Sequence, residues 1–190
     1  MKKARVGILI SGRGSNMASL VEASKAPDSP YEVALVASNV PDAPGLDFAR
    51  KQGIATWAQS HIGMKRAEFD ELVDAELRAA GVEYVALAGY MRLLSPGFVR
   101  KWAGKMINIH PSLLPAYKGL DTHQRVIDAG EAKHGCSVHI VSEALDDGEI
   151  VAQAEVPVLP GDDAHMLAAR VLVEEHKLYP AALARLVRGK

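Results

Sequence analysis

Four short runs rich in Val, Ile, Leu or Ala, residues 5–11, 33–38, 84–88 and 106–109, recur along the chain, and the stretches between them carry helical spacing. Strands that are apolar throughout, rather than alternating, are buried on both faces of a parallel sheet. Their alternation with helices therefore dictates βαβ units. Helices are expected at residues 16–24, 46–52, 65–80 and 96–102, with a short strand near 55–57. Two further strands, 137–141 and 150–158, and a long last helix, 163–186, complete the pattern, while 26–30 and 40–45 read as surface loops. The expected fold is α/β, one doubly wound domain over residues 1–190 with a mostly parallel seven-stranded sheet. Open sheets of this kind bind ligands beyond the carboxyl ends of their strands, where Gly12, Gly89 and His110 all fall.

Composition narrows the partners. At 190 residues the chain suits one well-packed domain. No apolar run approaches the roughly 20 residues of a membrane span, and residues 6–10 are too short for a secretory signal. A net charge of −1 supplies no basic field for a polyanion, so nucleic acid is not expected. One cysteine, Cys136, excludes an intramolecular disulfide and fits a reducing compartment, so the cytoplasm is expected.

After the first strand comes Ser11-Gly12-Arg13-Gly14-Ser15-Asn16, and then a helix. Small residues there let backbone amides approach an anion, and the helix N-terminus favours negative charge. The competing reading is a tight strand-to-helix turn capped by Ser15 or Asn16. Met17 replaces the third glycine of a dinucleotide fingerprint, Asn39 stands near the end of the second strand in place of an acid, and no Walker lysine is present. A phosphate monoester is thus favoured over a nicotinamide cofactor or a triphosphate.

The strand at 106–110 ends in Asn108-Ile109-His110-Pro111-Ser112-Leu113-Leu114-Pro115. Alternation along a strand puts Asn108 and His110 on one face, and Pro111 stops the strand. Asp146, on a glycine-flanked loop, is a carboxylate able to fold over them; adjacent Asp147 is its rival by spacing, and either could instead be a turn aspartate. Ser137 and His139 share a face of the next strand and are expected to line the cleft. His123 and His134 show no recognisable metal-ligand spacing, and no metal is expected.

The octapeptide, together with S-G-R-G-S-N, G-Y-M-R-L-L-S-P at 89–96 and G-C-S-V-H-x-V-x-x-x-L-D-D-G at 135–148, resembles the folate-dependent formyltransferases, in order over nearly the full chain. Within that family it is most similar to the branch that formylates glycinamide ribonucleotide in purine synthesis. The resemblance implies the formyltransferase fold, with a Rossmann-like phosphate-binding half (1–105) and a folate-binding and catalytic half (106–190). It implies 10-formyltetrahydrofolate as co-substrate and glycinamide ribonucleotide as acceptor. Asn108, His110 and Asp146 would be catalytic. Gly14, Ser15 and Asn16 would grip the phosphate, with Leu172, Val173, Glu174 and Glu175 touching the ribonucleotide. Leu172 stands where close bacterial relatives are expected to have Gln, and by spacing alone Glu175 is an exposed helix charge. Arg66, Met91, Arg92, Leu93, Leu94 and Asn108 would surround the folate with Ser142, Glu143, Ala144, Leu145 and Asp146. By spacing alone Arg66 is a solvated helix charge, and Met91, Leu93 and Leu94 are core residues. A monomer or homodimer is expected. Relatives that act on tRNA or hydrolyse the folate carry an extra domain, for which this length is expected to leave no room. A catalytically idle binding module is the alternative of a different class.

Overall fold

The computed structural model describes residues 2–189. Along the chain run β1 (Ala4–Ile10), α1 (Ser15–Ser24), β2 (Tyr31–Ser38), α2 (Pro44–Lys51), β3 (Thr56–Ala58), α3 (Arg66–Ala79), β4 (Tyr84–Leu87) and α4 (Pro96–Lys101). They are followed by β5 (Met106–His110), α5 (Thr122–Asp128), β6 (Lys133–Ile140), β7 (Ile150–Pro157) and α6 (Ala164–Val187). The seven strands form one sheet in the order β3-β2-β1-β4-β5-β6-β7. The first five strands pair in parallel, and β6 and β7 add as antiparallel neighbours.

Both sheet faces are covered, which is why the central strands carry no alternation. One face packs Val6, Ile8, Ile10, Val36 and Ile107 against Met17 and Leu20 of α1, Leu46 of α2, and Tyr179 and Leu183 of α6. The other packs Leu9, Leu35, Val85 and Met106 against Phe69, Val73 and Leu77 of α3 and Phe98 of α4. Burying each such side chain contributes about 1.5–3 kcal/mol, so the sheet is fixed by its two apolar faces. Tyr179 adds a polar pin: its buried hydroxyl lies 2.7 Å from the Leu87 carbonyl and 3.1 Å from that of Ile107, tying α6 to β4 and β5.

Most expected boundaries shift by only a few residues, but three differences matter. Helix α5 falls in a stretch with no expected element. Strand β6 starts at Lys133, four residues earlier than expected, because its first half pairs with β7 from Pro157 back to Ala154. Neither Ser15 nor Asn16 caps α1; the cap is Gly14, in the left-handed conformation (φ 67°) and without a side-chain bond.

Candidate active site

Strand β5 delivers Asn108 and His110 to the same face, and antiparallel β6 sets His139 opposite Asn108 and Ser137 opposite His110. Loop 141–149 then returns over the strand ends. Its close entry to β7 requires Gly148, where an added Cβ would lie 1.6 Å from the Ile140 carbonyl oxygen. Asp146 takes a left-handed backbone (φ 49°), as do Tyr117 and Asp121 in the facing loop. Non-glycine residues rarely adopt that region, and it concentrates where a site over-determines the chain.

The result is a compact polar cluster. Asp146 is 8% exposed; its Oδ2 accepts the Gly119 amide at 2.9 Å and lies 3.4 Å from His110 Nδ1, while Oδ1 lies 3.7 Å from His139 Nε2. His110 Nε2 is 2.9 Å from the Tyr117 carbonyl, which can only accept. Both ring nitrogens of His110 therefore face acceptors.

His139 is arranged in the opposite sense. Its Nδ1 donates to the Ile140 carbonyl at 3.0 Å, which leaves Nε2 as an acceptor 3.4 Å from the Asn108 amide nitrogen. Burial, the largest influence, pushes the His139 pKa down and keeps this ring neutral. Asn108 is thereby held with its carboxamide at the cavity edge.

A cavity of about 480 Å³ opens over this cluster, lined by Asn108, His110, His139 and Asp146 at one end. Leu87, Val99 and Val141 form its apolar base, and Tyr90, Arg92, Gly119 and Leu120 also line it. Met91 and Leu93 are 71% and 56% exposed on its rim, not core side chains as their spacing alone suggests. Leu94 and residues 142–145 line it too. The cavity thus draws on both sides of residue 105. Asp147 points away from the cluster to an exposed ion pair with Lys118.

The sequence-predicted residues do not all converge. Arg66, the first residue of α3, lies outside the cavity lining. Ser137 is fully buried behind the site, where it donates to the Ser112 carbonyl and accepts the Leu114 amide and the Gln153 side chain. It does not line the cleft. The expectation of an exposed Glu175 also fails: it is 7% exposed and accepts from Asn16 Nδ2 at 3.2 Å, which joins α6 to the glycine loop. Leu172 and Val173 share that helix, Val173 being exposed, and Glu174 pairs with Lys177. Tyr90, Gly119 and Leu120 were not expected; the positive φ of Gly119 (81°) and the left-handed residues beside it are invisible in the letters. Among the described residues, no group of three or more His, Cys, Asp or Glu side chains could hold a metal ion.

A polar cluster at the carboxyl end of a parallel strand, opening into a largely apolar cavity, defines an α/β small-molecule site at the strand ends of a doubly wound sheet. Residues 4–183 match the formyl transferase family, and the chain belongs to it. It is 47% identical over 99% of its length to the trifunctional purine biosynthetic protein adenosine-3 of Bos taurus, but spans only 19% of that protein. It is 42% identical to the phosphoribosylglycinamide formyltransferase of Escherichia coli over 96% of this chain and 87% of that one. The crystal structure of phosphoribosylglycinamide formyltransferase from Brucella melitensis superposes with a TM-score of 0.94 at 47% identity, covering 100% of this chain and 98% of that chain.

Proposed function

We propose that the protein transfers the formyl group of 10-formyltetrahydrofolate to the amine of glycinamide ribonucleotide. The observation that carries this reading is the Asn108, His110, His139 and Asp146 cluster at the end of an apolar cavity, in a chain so similar to phosphoribosylglycinamide formyltransferases. The amine nitrogen bonds to the formyl carbon, the carbonyl electrons move to oxygen, and the folate nitrogen takes a proton as its bond to that carbon breaks. The nitrogen that attacks gives up a proton to balance the exchange.

Each residue has a role its geometry supports. Asn108, oriented by neutral His139, donates to the developing oxyanion. His110, set between Asp146 and the Tyr117 carbonyl, turns a ring N–H from one of these acceptors to the same oxygen and relays the proton. Asp146 orients the ring. The apolar base and the segments 91–94 and 141–145 fit the flat body of a folate. Gly14, Ser15 and Asn16 fit a phosphate at the N-terminus of α1. Asn16 Oδ1, buried without a hydrogen-bond partner, is an acceptor for a ribonucleotide donor beside Glu175. In this reading residues 1–105 supply the phosphate site and most of 106–190 the catalytic one, in a cytoplasmic monomer or homodimer.

The test is to mix the purified protein with both substrates and follow formylated product and deformylated folate. Product in both assays supports the transferase, folate loss without the amine indicates a hydrolase, and binding without turnover indicates a binding module. His110→Ala is expected to fold and to lose about 10²–10⁴ in rate; near-normal turnover would remove His110 from the proton relay.

A further inference from the structure

Residues 91–94, which form one wall of the cavity, hang from side chains of other elements at Met91 and at the adjoining Ser95. The Ser95 amide donates to Asp70 Oδ2 of α3 at 2.6 Å, and the Met91 amide donates to Ser11 Oγ at 2.8 Å. Ser11 is also the first residue of the glycine loop. Its own proton is committed elsewhere, donated at 2.6 Å to Oδ1 of Asn39, whose side chain is buried at the end of β2. An amide oxygen can only accept, so the direction of this short chain is fixed: Met91 amide to Ser11, Ser11 to Asn39. Ser11 is thus a hydrogen-bonded link between the start of the glycine loop and the cavity wall at Met91.

We propose that Ser11 is a positioning residue that couples the two substrate subsites, so that a phosphate held by the loop tightens folate binding in the cavity. The inference rests on the formyl-transfer reading, which supplies the two ligands. An anion at Gly14, Ser15 and Asn16 orders the loop, and the wall suspended from Ser11 is ordered with it. The second ligand then meets a smaller entropic cost. Linkage makes the effect reciprocal: folate tightens the ribonucleotide by the same factor.

Calorimetric titration of tetrahydrofolate, with and without saturating glycinamide ribonucleotide, measures the coupling. The wild type is expected to bind the folate about 5-fold or more tightly when the ribonucleotide is present. In Ser11→Ala that factor falls toward one, while Ser11→Thr, which keeps the hydroxyl, retains it; a purely packing role would not separate the two variants. An equal factor in wild type and Ser11→Ala, or no coupling in the wild type, overturns the inference. Failure of the wild type to bind either ligand overturns the formyl-transfer reading instead. Should Ser11→Ala not fold, amide exchange in the wild type decides: the ribonucleotide is expected to slow exchange at Met91 more than at Ser95, and equal slowing overturns the coupling.

Discussion

The two cavity histidines are put to opposite uses by their second nitrogen. His110 finds an acceptor on each side, whereas His139 spends its one proton on a backbone carbonyl and turns a lone pair to Asn108. Asn108→Ala removes the oxyanion donor and is expected to lower kcat by about 10²–10³. His139→Ala leaves the carboxamide present but loose, so a smaller loss is expected, partly restored in His139→Gln, whose amide oxygen can accept. Steady-state kcat for the three variants checks the order; a His139→Gln enzyme slower than His139→Ala would contradict the acceptor role. The sequence placed Asn108 and His110 on one face through strand alternation alone. It could not place His139 against Asn108, because that depends on the antiparallel register of β6 on β5.

Among the elements, those buried on two faces were readable and those buried on one narrow stripe were not. The central strands announce themselves as unbroken apolar runs. Helix α5 buries only Thr122 and Val126, a single four-residue step that gives too little periodicity to recognise. Glu175 carried a signal that its charge obscured: Leu167, Val171 and Tyr179, at four-residue steps, put position 175 on the buried face of α6. Close backbone approach is equally silent in the letters until the strands are placed. A Cβ at Gly135 would lie 1.9 Å from the Ala154 carbonyl oxygen and one at Gly148 1.6 Å from that of Ile140, whereas Gly12 has nothing within 4 Å. Gly135→Ala and Gly148→Ala are therefore expected to cost about 1–3 kcal/mol or more, since backbone must shift, and Gly12→Ala to be nearly neutral for stability. Urea denaturation of the three variants tests the contrast.

For the whole molecule, acid sensitivity follows from buried rings. Burial pushes His134 down to about 4, with the neighbouring histidines His123 and His110 adding to the effect, and it lowers His123, His139 and His176 as well. Between the ordinary value of 6.5 and about 4, the unfolded chain takes up a proton at position 134 that the folded chain refuses. That contribution to stability is intact above 6.5 and is lost as the pH falls toward 4. Asp70 and Glu175, raised by burial, act in the opposite direction. The difference between wild type and His134→Gln isolates the ring: Tm should fall less steeply in the variant between about pH 7 and about pH 5, and parallel slopes would count against it.

The strand order carries one more consequence, for the growing chain. β1 is made first yet lies in the middle of the sheet, with β2 on one side and β4, which begins only at Tyr84, on the other. A nascent segment that stops short of β4 exposes one edge of its most apolar strand, so folding during synthesis waits on a distant pairing. Until that pairing forms, one edge of β1 stays open to pairing with another chain.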